Sequence, residues 1–298
     1  MTQSLLSKCV AEELSQGADE RALRMAEALA ALYPGAARAV LFYGSCLRES
    51  QLDGLMLDFY LIVSDYRAAY GKSWMAWANA KLPPNVFPFA HDGLSAKYAV
   101  LSEADFHRLC GQEADTVSVW ARFAQPSRLL WVADEAAQQQ VVASVARAVP
   151  TLLNLAAPAA GEGAHIWETG FALTYSAELR AEKKTRSGSI VAADPERYDR
   201  FLLAAMSAGQ YQPDREISAE EKAAHEKRWA GLRRRGKLIT VLRLAKASFT
   251  FAGGIDYLAW KINRHAGTQI AIKPWQRRWP LLGAVVLLPR LLRSGAVK

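Results

Sequence analysis

At 298 residues, with a formal net charge of +8 and 51% apolar residues, the chain is long enough to bury a real core in two domains or one large one. Its three cysteines, Cys9, Cys46 and Cys110, show neither metal-ligand spacing nor a paired framework, which argues against a disulfide scaffold and points to a reducing compartment. The segment Met1 to Gln16 carries Glu12 and Glu13 and no long apolar core, so neither a signal peptide nor an Arg-rich transit peptide is expected.

In chain order, Asp19 to Tyr33 predicts an amphipathic helix with Leu23, Met25, Ala26, Leu29 and Leu32 toward one side, ended by Pro34-Gly35. Ala39 to Tyr43 and Leu57 to Val63 read as strands. Trp74 to Leu82 is a short helix stopped by Pro83-Pro84. Asn85 to Phe89 and Ala96 to Leu101 form a strand pair around a turn at His91-Asp92-Gly93. A helix starts at Ser102 and continues to Cys110, Ser127 to Val132 is a strand, and Asp134 to Leu155 is one long helix. Ala156 to Gly163, rich in Ala, Pro and Gly, is a linker, and a mostly helical unit follows over Ala164 to Gly236.

Charge is distributed unevenly. Lys227 to Lys298 holds 16 Lys+Arg against one acid, Asp256, which leaves 21 basic and 28 acidic residues in the rest of the chain. An acidic body with a basic tail points to a polyanion. In the tail, Trp275, Trp279, Leu281, Leu282, Val285 and Val286 are interleaved with Arg277, Arg278, Arg290 and Arg293. The apolar run Leu281 to Leu288 is far below the roughly 20 residues that span a bilayer. Trp, Leu and Arg together suit the interface plane of a membrane, with a terminal core helix as the structural alternative.

Chemistry concentrates where an apolar run, Leu41-Phe42-Tyr43, ends in Gly44-Ser45, and a carboxylate, Asp58, opens the next apolar run to Val63. This is the order of parts in the nucleotidyltransferase fold. Glycine lets backbone approach phosphate, N–H groups opening a helix favour anions, and a hard divalent cation takes carboxylate oxygens beside a triphosphate. An ordinary strand–turn–strand element is the alternative. The expected architecture is therefore α/β (α+β): a nucleotidyltransferase-fold domain with a mixed sheet over residues 1–135, a mostly helical second domain over 136–236, and a basic amphipathic tail over 237–298.

Four stretches together resemble one family. They are Tyr43-Gly44-Ser45 with Met56-Leu57-Asp58-Phe59 and the strand to Asp65; Asn85-Val86-Phe87; Lys97-Tyr98-Ala99-Val100-Leu101-Ser102; and Lys246-Ala247-Ser248-Phe249-Thr250-Phe251-Ala252-Gly253-Gly254. The chain is similar to the mitochondrial translocator-assembly-and-maintenance type of phosphatidate cytidylyltransferase, the peripheral CDP-diacylglycerol synthase. It departs in having Lys-Tyr-Ala where that family has Lys-Tyr-Gly, and a shorter segment between Asp65 and Asn85. A bacterial relative fits better than a mitochondrial enzyme. The resemblance implies transfer of CMP from CTP to phosphatidic acid with Mg²⁺, on the cytoplasmic face of an inner membrane as a peripheral protein; nucleic acid is not expected as partner, since an arm that binds it is more often polar between its basic residues.

On this reading Gly44 and Ser45 bind the triphosphate, Asp58 holds the metal, and Arg48 reaches phosphate from the loop after Gly-Ser. Asp53, five residues before Asp58, is a candidate second acid or a plain loop acid. The positions two away from Asp58 are Met56 and Tyr60, so the usual acid pair is incomplete. Lys97 sits inside an apolar strand, where a charge is costly unless paired, and is a candidate phosphate contact and catalytic residue; an outward-facing strand lysine is the alternative. The run Glu178, Arg180, Lys183, Lys184, Arg186 lines a phosphate channel or a solvated helix face. His91, His107, His165, His225 and His265 have no ligand spacing. Two rival functions share the front motifs: a nucleotidyltransferase acting on a soluble acceptor, RNA or protein, and a non-enzymatic membrane adaptor on the same scaffold.

Overall fold

A computed structural model describes residues 4–49, 52–71, 73–160, 165–177, 186–213, 215–250 and 271–278. Its centre is a five-stranded mixed sheet of β1 (Ala37–Tyr43), β2 (Met56–Val63), β3 (Asn85–His91), β4 (Leu94–Ser102) and β5 (Ser127–Val132), in the order β3-β4-β2-β1-β5. β2 and β4 are parallel, and the other neighbours are antiparallel. The hairpin β3–β4 closes on Asp92 and Gly93, with φ of 48° and 74°, as a two-residue turn with both central residues left-handed demands.

Side chains alternate across each strand. On β2, Leu57, Phe59, Leu61 and Val63 face one layer, where they meet Met25, Ala26 and Leu29 of α2 (Glu20–Ala31). Asp19 caps α2, its carboxylate accepting from the Arg21 N–H at 2.8 Å. Leu32, expected on the buried side, is 53% exposed because the helix ends at Ala31 and the chain turns there. Two short helices, α3 (Ser45–Glu49) and α4 (Tyr66–Ala69), follow β1 and β2, and α5 (Ser73–Lys81) leads into β3.

The opposite face is covered by a larger helical layer. It contains α1 (Leu5–Leu14), α6 (Glu103–Cys110), α7 (Trp120–Phe123), α8 (Glu135–Val145), α9 (Ala148–Ala156), α10 (Ile166–Ala177), α11 (Arg186–Ala192), α12 (Pro195–Ser207) and part of α13 (Ala219–Thr250). Phe106, Trp120 and Phe123 share this core with Leu152, Trp167, Phe171, Tyr198 and Trp229, so residues on both sides of position 135 pack together. Likewise α13 runs without interruption across position 236.

The single long helix expected from Asp134 to Leu155 is two helices, α8 and α9, with the break at Ala146–Arg147. The cause is Pro150. It has no N–H to give, and its ring collides with the carbonyl four residues back, which belongs to Ala146. Glu135–Ala159 is the one stretch among the described residues long and apolar enough to cross a membrane, but two thirds of it is buried in this core. Residues 178–185 of the charged run, and most of the tail, 251–270 and 279–298, lie outside the described residues.

Candidate active site

Strand register builds the site. Tyr43 on β1 pairs with Asp58 on β2, Asp58 with Lys97 on β4, and Lys97 with Pro88 on β3. Directly paired residues point to the same face of a sheet. Tyr43, Asp58 and Lys97 therefore form one row on the helix-covered face, one step beyond the buried pairs Leu41–Tyr60 and Tyr60–Ala99. The Lys97 ammonium lies 2.9 Å from Asp58 Oδ1, with the two side chains 27% and 19% exposed. That oxygen is itself buried, and the ammonium is its charge partner.

Gly44 follows Tyr43 with φ of 96°, a region that L side chains rarely adopt. A Cβ built there would stand 2.9 Å from Asp58 Oδ2. The backbone conformation thus favours glycine, a side chain there would push Asp58 aside, and the result is bare backbone against the carboxylate. Ser45 then opens the five-residue α3. Arg48 lies in that helix, but its side chain is outside the described residues.

A chain of polar contacts runs from the row into the helical layer. Arg122 of α7 lies near Tyr43, yet the Tyr43 hydroxyl stays far harder to ionise than usual, first through burial and next through the charge of Asp58. Arg122 also donates through Nη1 to the Ser118 carbonyl. The Ser118 hydroxyl meets Arg243 Nη1 of α13 at 2.9 Å, and Arg243 Nε donates to the Pro83 carbonyl at 2.9 Å. One turn further along α13, Lys246 Nζ donates to the Pro84 carbonyl at 2.9 Å and to that of Leu82. Burial, then the charge of Arg243, pushes the Lys246 ammonium down to about 7.

Asp53 is placed differently. It sits in the turn before β2, 75% exposed, with Oδ1 held 2.7 Å from Arg21 Nη1 of α2. Among the described residues no three His, Cys, Asp or Glu side chains stand together as a metal-binding group. Asp58 offers a buried carboxylate oxygen beside Lys97, which fits one protein ligand to a divalent cation.

Sequence reasoning singled out Gly44, Ser45, Asp58 and Lys97, and the register unites Gly44, Asp58 and Lys97. It missed Arg122, Ser118 and Arg243, and gave Lys246 no role. A usable signal existed for Arg122: it is the one charge in the apolar run Val117 to Ala124, the same anomaly that marked Lys97. Comparison with protein-family models and with curated proteins returns no match.

Proposed function

We propose that this chain is a nucleotidyltransferase, and specifically a phosphatidate cytidylyltransferase making CDP-diacylglycerol and pyrophosphate from CTP and phosphatidic acid. The observation that carries the reading is the row Tyr43–Asp58–Lys97 with the bare backbone of Gly44 against Asp58. A triphosphate needs close backbone, cations and a metal-binding oxygen in one place, and this row supplies all three kinds of group.

The lipid phosphate oxygen would attack the α-phosphorus of CTP. A new P–O bond forms, the bond from the α-phosphorus to the bridging oxygen breaks, and pyrophosphate leaves with that electron pair. The nucleophile is already an anion, so no general base is required, and catalysis consists of positioning and charge neutralisation. Lys97 and Arg122 would hold phosphate oxygens, and Arg243 would fix Ser118 beneath Arg122. Asp58 would hold Mg²⁺ through its carboxylate, with Lys97 turning from it to the phosphates, and the ion would neutralise charge on the phosphates. Asp58 also sets where Lys97 points before substrate arrives.

One observation favours a non-enzymatic adaptor instead: Asp58 is the only acid in the row, and Lys97 already neutralises it. A single assay separates the readings. Purified protein, Mg²⁺, labelled CTP and phosphatidate vesicles should yield a lipid-extractable labelled product. Absence of product, with CTP or any other nucleoside triphosphate, would end the enzymatic reading. Label transferred to RNA or protein, and not to lipid, would replace the acceptor.

A further inference from the structure

Helix α5 shows an unusual outer face. Trp77 is 66% exposed and Trp74 50%, and Lys81 is exposed one turn beyond Trp77. The exposed indoles at i and i+3 of this nine-residue helix lie off its core-facing side, which Ala76 and Asn79 supply. There Asn79 is fully buried and donates to the Val100 carbonyl at 2.9 Å, and Ala76 is buried beside it. The tryptophans are therefore held outward on a helix pinned to the sheet.

Charge sets the occupant. From Tyr66 to His91 the sequence has three basic residues, Arg67, Lys72 and Lys81, and no carboxylate. This stretch lies in a body where acids outnumber bases. Asp65 and Asp92 flank the stretch, Asp65 capping α4 and Asp92 paired with Arg24, so a second copy meeting this face through a two-fold axis would bring its unpaired basic excess against itself. An anionic bilayer meets both needs, since indoles settle at the headgroup level and lysines follow the surface potential. The helix α13 adds to the same end of the sheet. Its Arg243 and Lys246 bind the carbonyls of Pro83 and Pro84, which leave α5, and it exposes Leu238 (60%) and, next to Arg243, Leu242 (45%).

We infer that α5 is a membrane-docking element of the folded body, separate from the basic tail, which seats Trp74 and Trp77 in the interface of an anionic lipid surface.

The test uses the full chain and no nucleotide, so it does not depend on the proposed reaction. Cys9, Cys46 and Cys110 are buried, which makes Trp77→Cys an accessible thiol for an environment-sensitive fluorophore. Its emission should brighten and shift to the blue with phosphatidylglycerol-containing vesicles, and not with phosphatidylcholine vesicles. The Trp74→Ser/Trp77→Ser variant should melt like the parent and partition about tenfold less onto the anionic vesicles, a change of about 1.4 kcal/mol. A silent label on vesicles that bind the parent overturns the inference, as does full binding by the double variant. A spectral shift that follows protein concentration without lipid assigns the face to self-association and also overturns it. Transfer to short-chain phosphatidate dispersed in water should be equal in parent and double variant. If neither shows transfer, the proposed reaction fails while the docking result stands.

Discussion

Asp58 Oδ1 and Lys97 Nζ meet at 2.9 Å across the parallel strands β2 and β4, and the register that pairs their backbones puts them side by side. Each accounts for the other: a carboxylate and an ammonium at the covered end of an apolar sheet offset one another's desolvation.

On the proposed reaction, Asp58→Asn should abolish turnover and leave the far-ultraviolet circular dichroism unchanged. Lys97→Ala should lower kcat/KM at least tenfold, about 1.4 kcal/mol of transition-state stabilisation. Steady-state kinetics on both variants check this. Parent-like kinetics in either would remove that residue from the chemistry.

Gly44 and Gly35 make a matched pair of tests. Both have positive φ, 96° and 74°, but only Gly44 faces a neighbour, Asp58 Oδ2, where a Cβ would stand. Alanine at either position should cost about 1–2 kcal/mol of stability through backbone strain. Only Gly44→Ala should also lose nucleotide affinity, because it displaces Asp58. Equal affinity in the two variants, measured by calorimetric titration with CTP, would contradict this placement.

Lys246 links stability to pH. Its folded value of about 7 lies below the ordinary 10.5, so between those values the unfolded chain holds a proton that the folded chain lacks. Stability from this group therefore rises with pH through that window, and is lost as pH falls through 7. From pH 7.5 to 8.5 the unfolding free energy should gain about 1 kcal/mol from Lys246. Lys246→Met should flatten this rise in urea titrations at the two pH values. An unchanged slope would show that the ammonium is not held as described.

Glu13 of α1 and Arg197 of α12, 184 residues apart, form an ion pair with side chains 5% and 3% exposed. Arg197 Nη2 donates to Glu13 Oε1 at 3.0 Å, and Nη1 donates to the Ala124 carbonyl at 3.1 Å. Arg197→Met strands a buried carboxylate and should cost about 3–5 kcal/mol. Adding Glu13→Leu should recover much of that loss. Thermal melts of the two single variants and the double variant give the coupling, and additive effects would deny the pair.

The elements that were legible in the sequence are those whose causes are local. Asp19 caps α2 through its own neighbour, Asp92-Gly93 turns the β3–β4 hairpin by its two positive φ angles, and a continuous apolar run broken only by Asp58 marks β2. Gly44, Ser45, Asp58 and Lys97 stood out as residue types at odds with, or terminating, apolar runs. The Pro150 break was also local, yet an apolar periodicity that continues through it hid the two helices. Other features depend on contacts that no short window contains. Register across β1, β2 and β4 decided that Tyr43, Asp58 and Lys97 share a row, since a slip of one residue would send each to the opposite face. Packing of α7 and α13 over that face decided that Arg122 and Arg243 meet at Ser118, 125 residues apart in the second case. It also decided that Asp53, five residues from Asp58 in sequence, pairs with Arg21 instead. Local propensity acts over a few bonds, whereas the positions of charges are set by how the sheet and its helices close on each other.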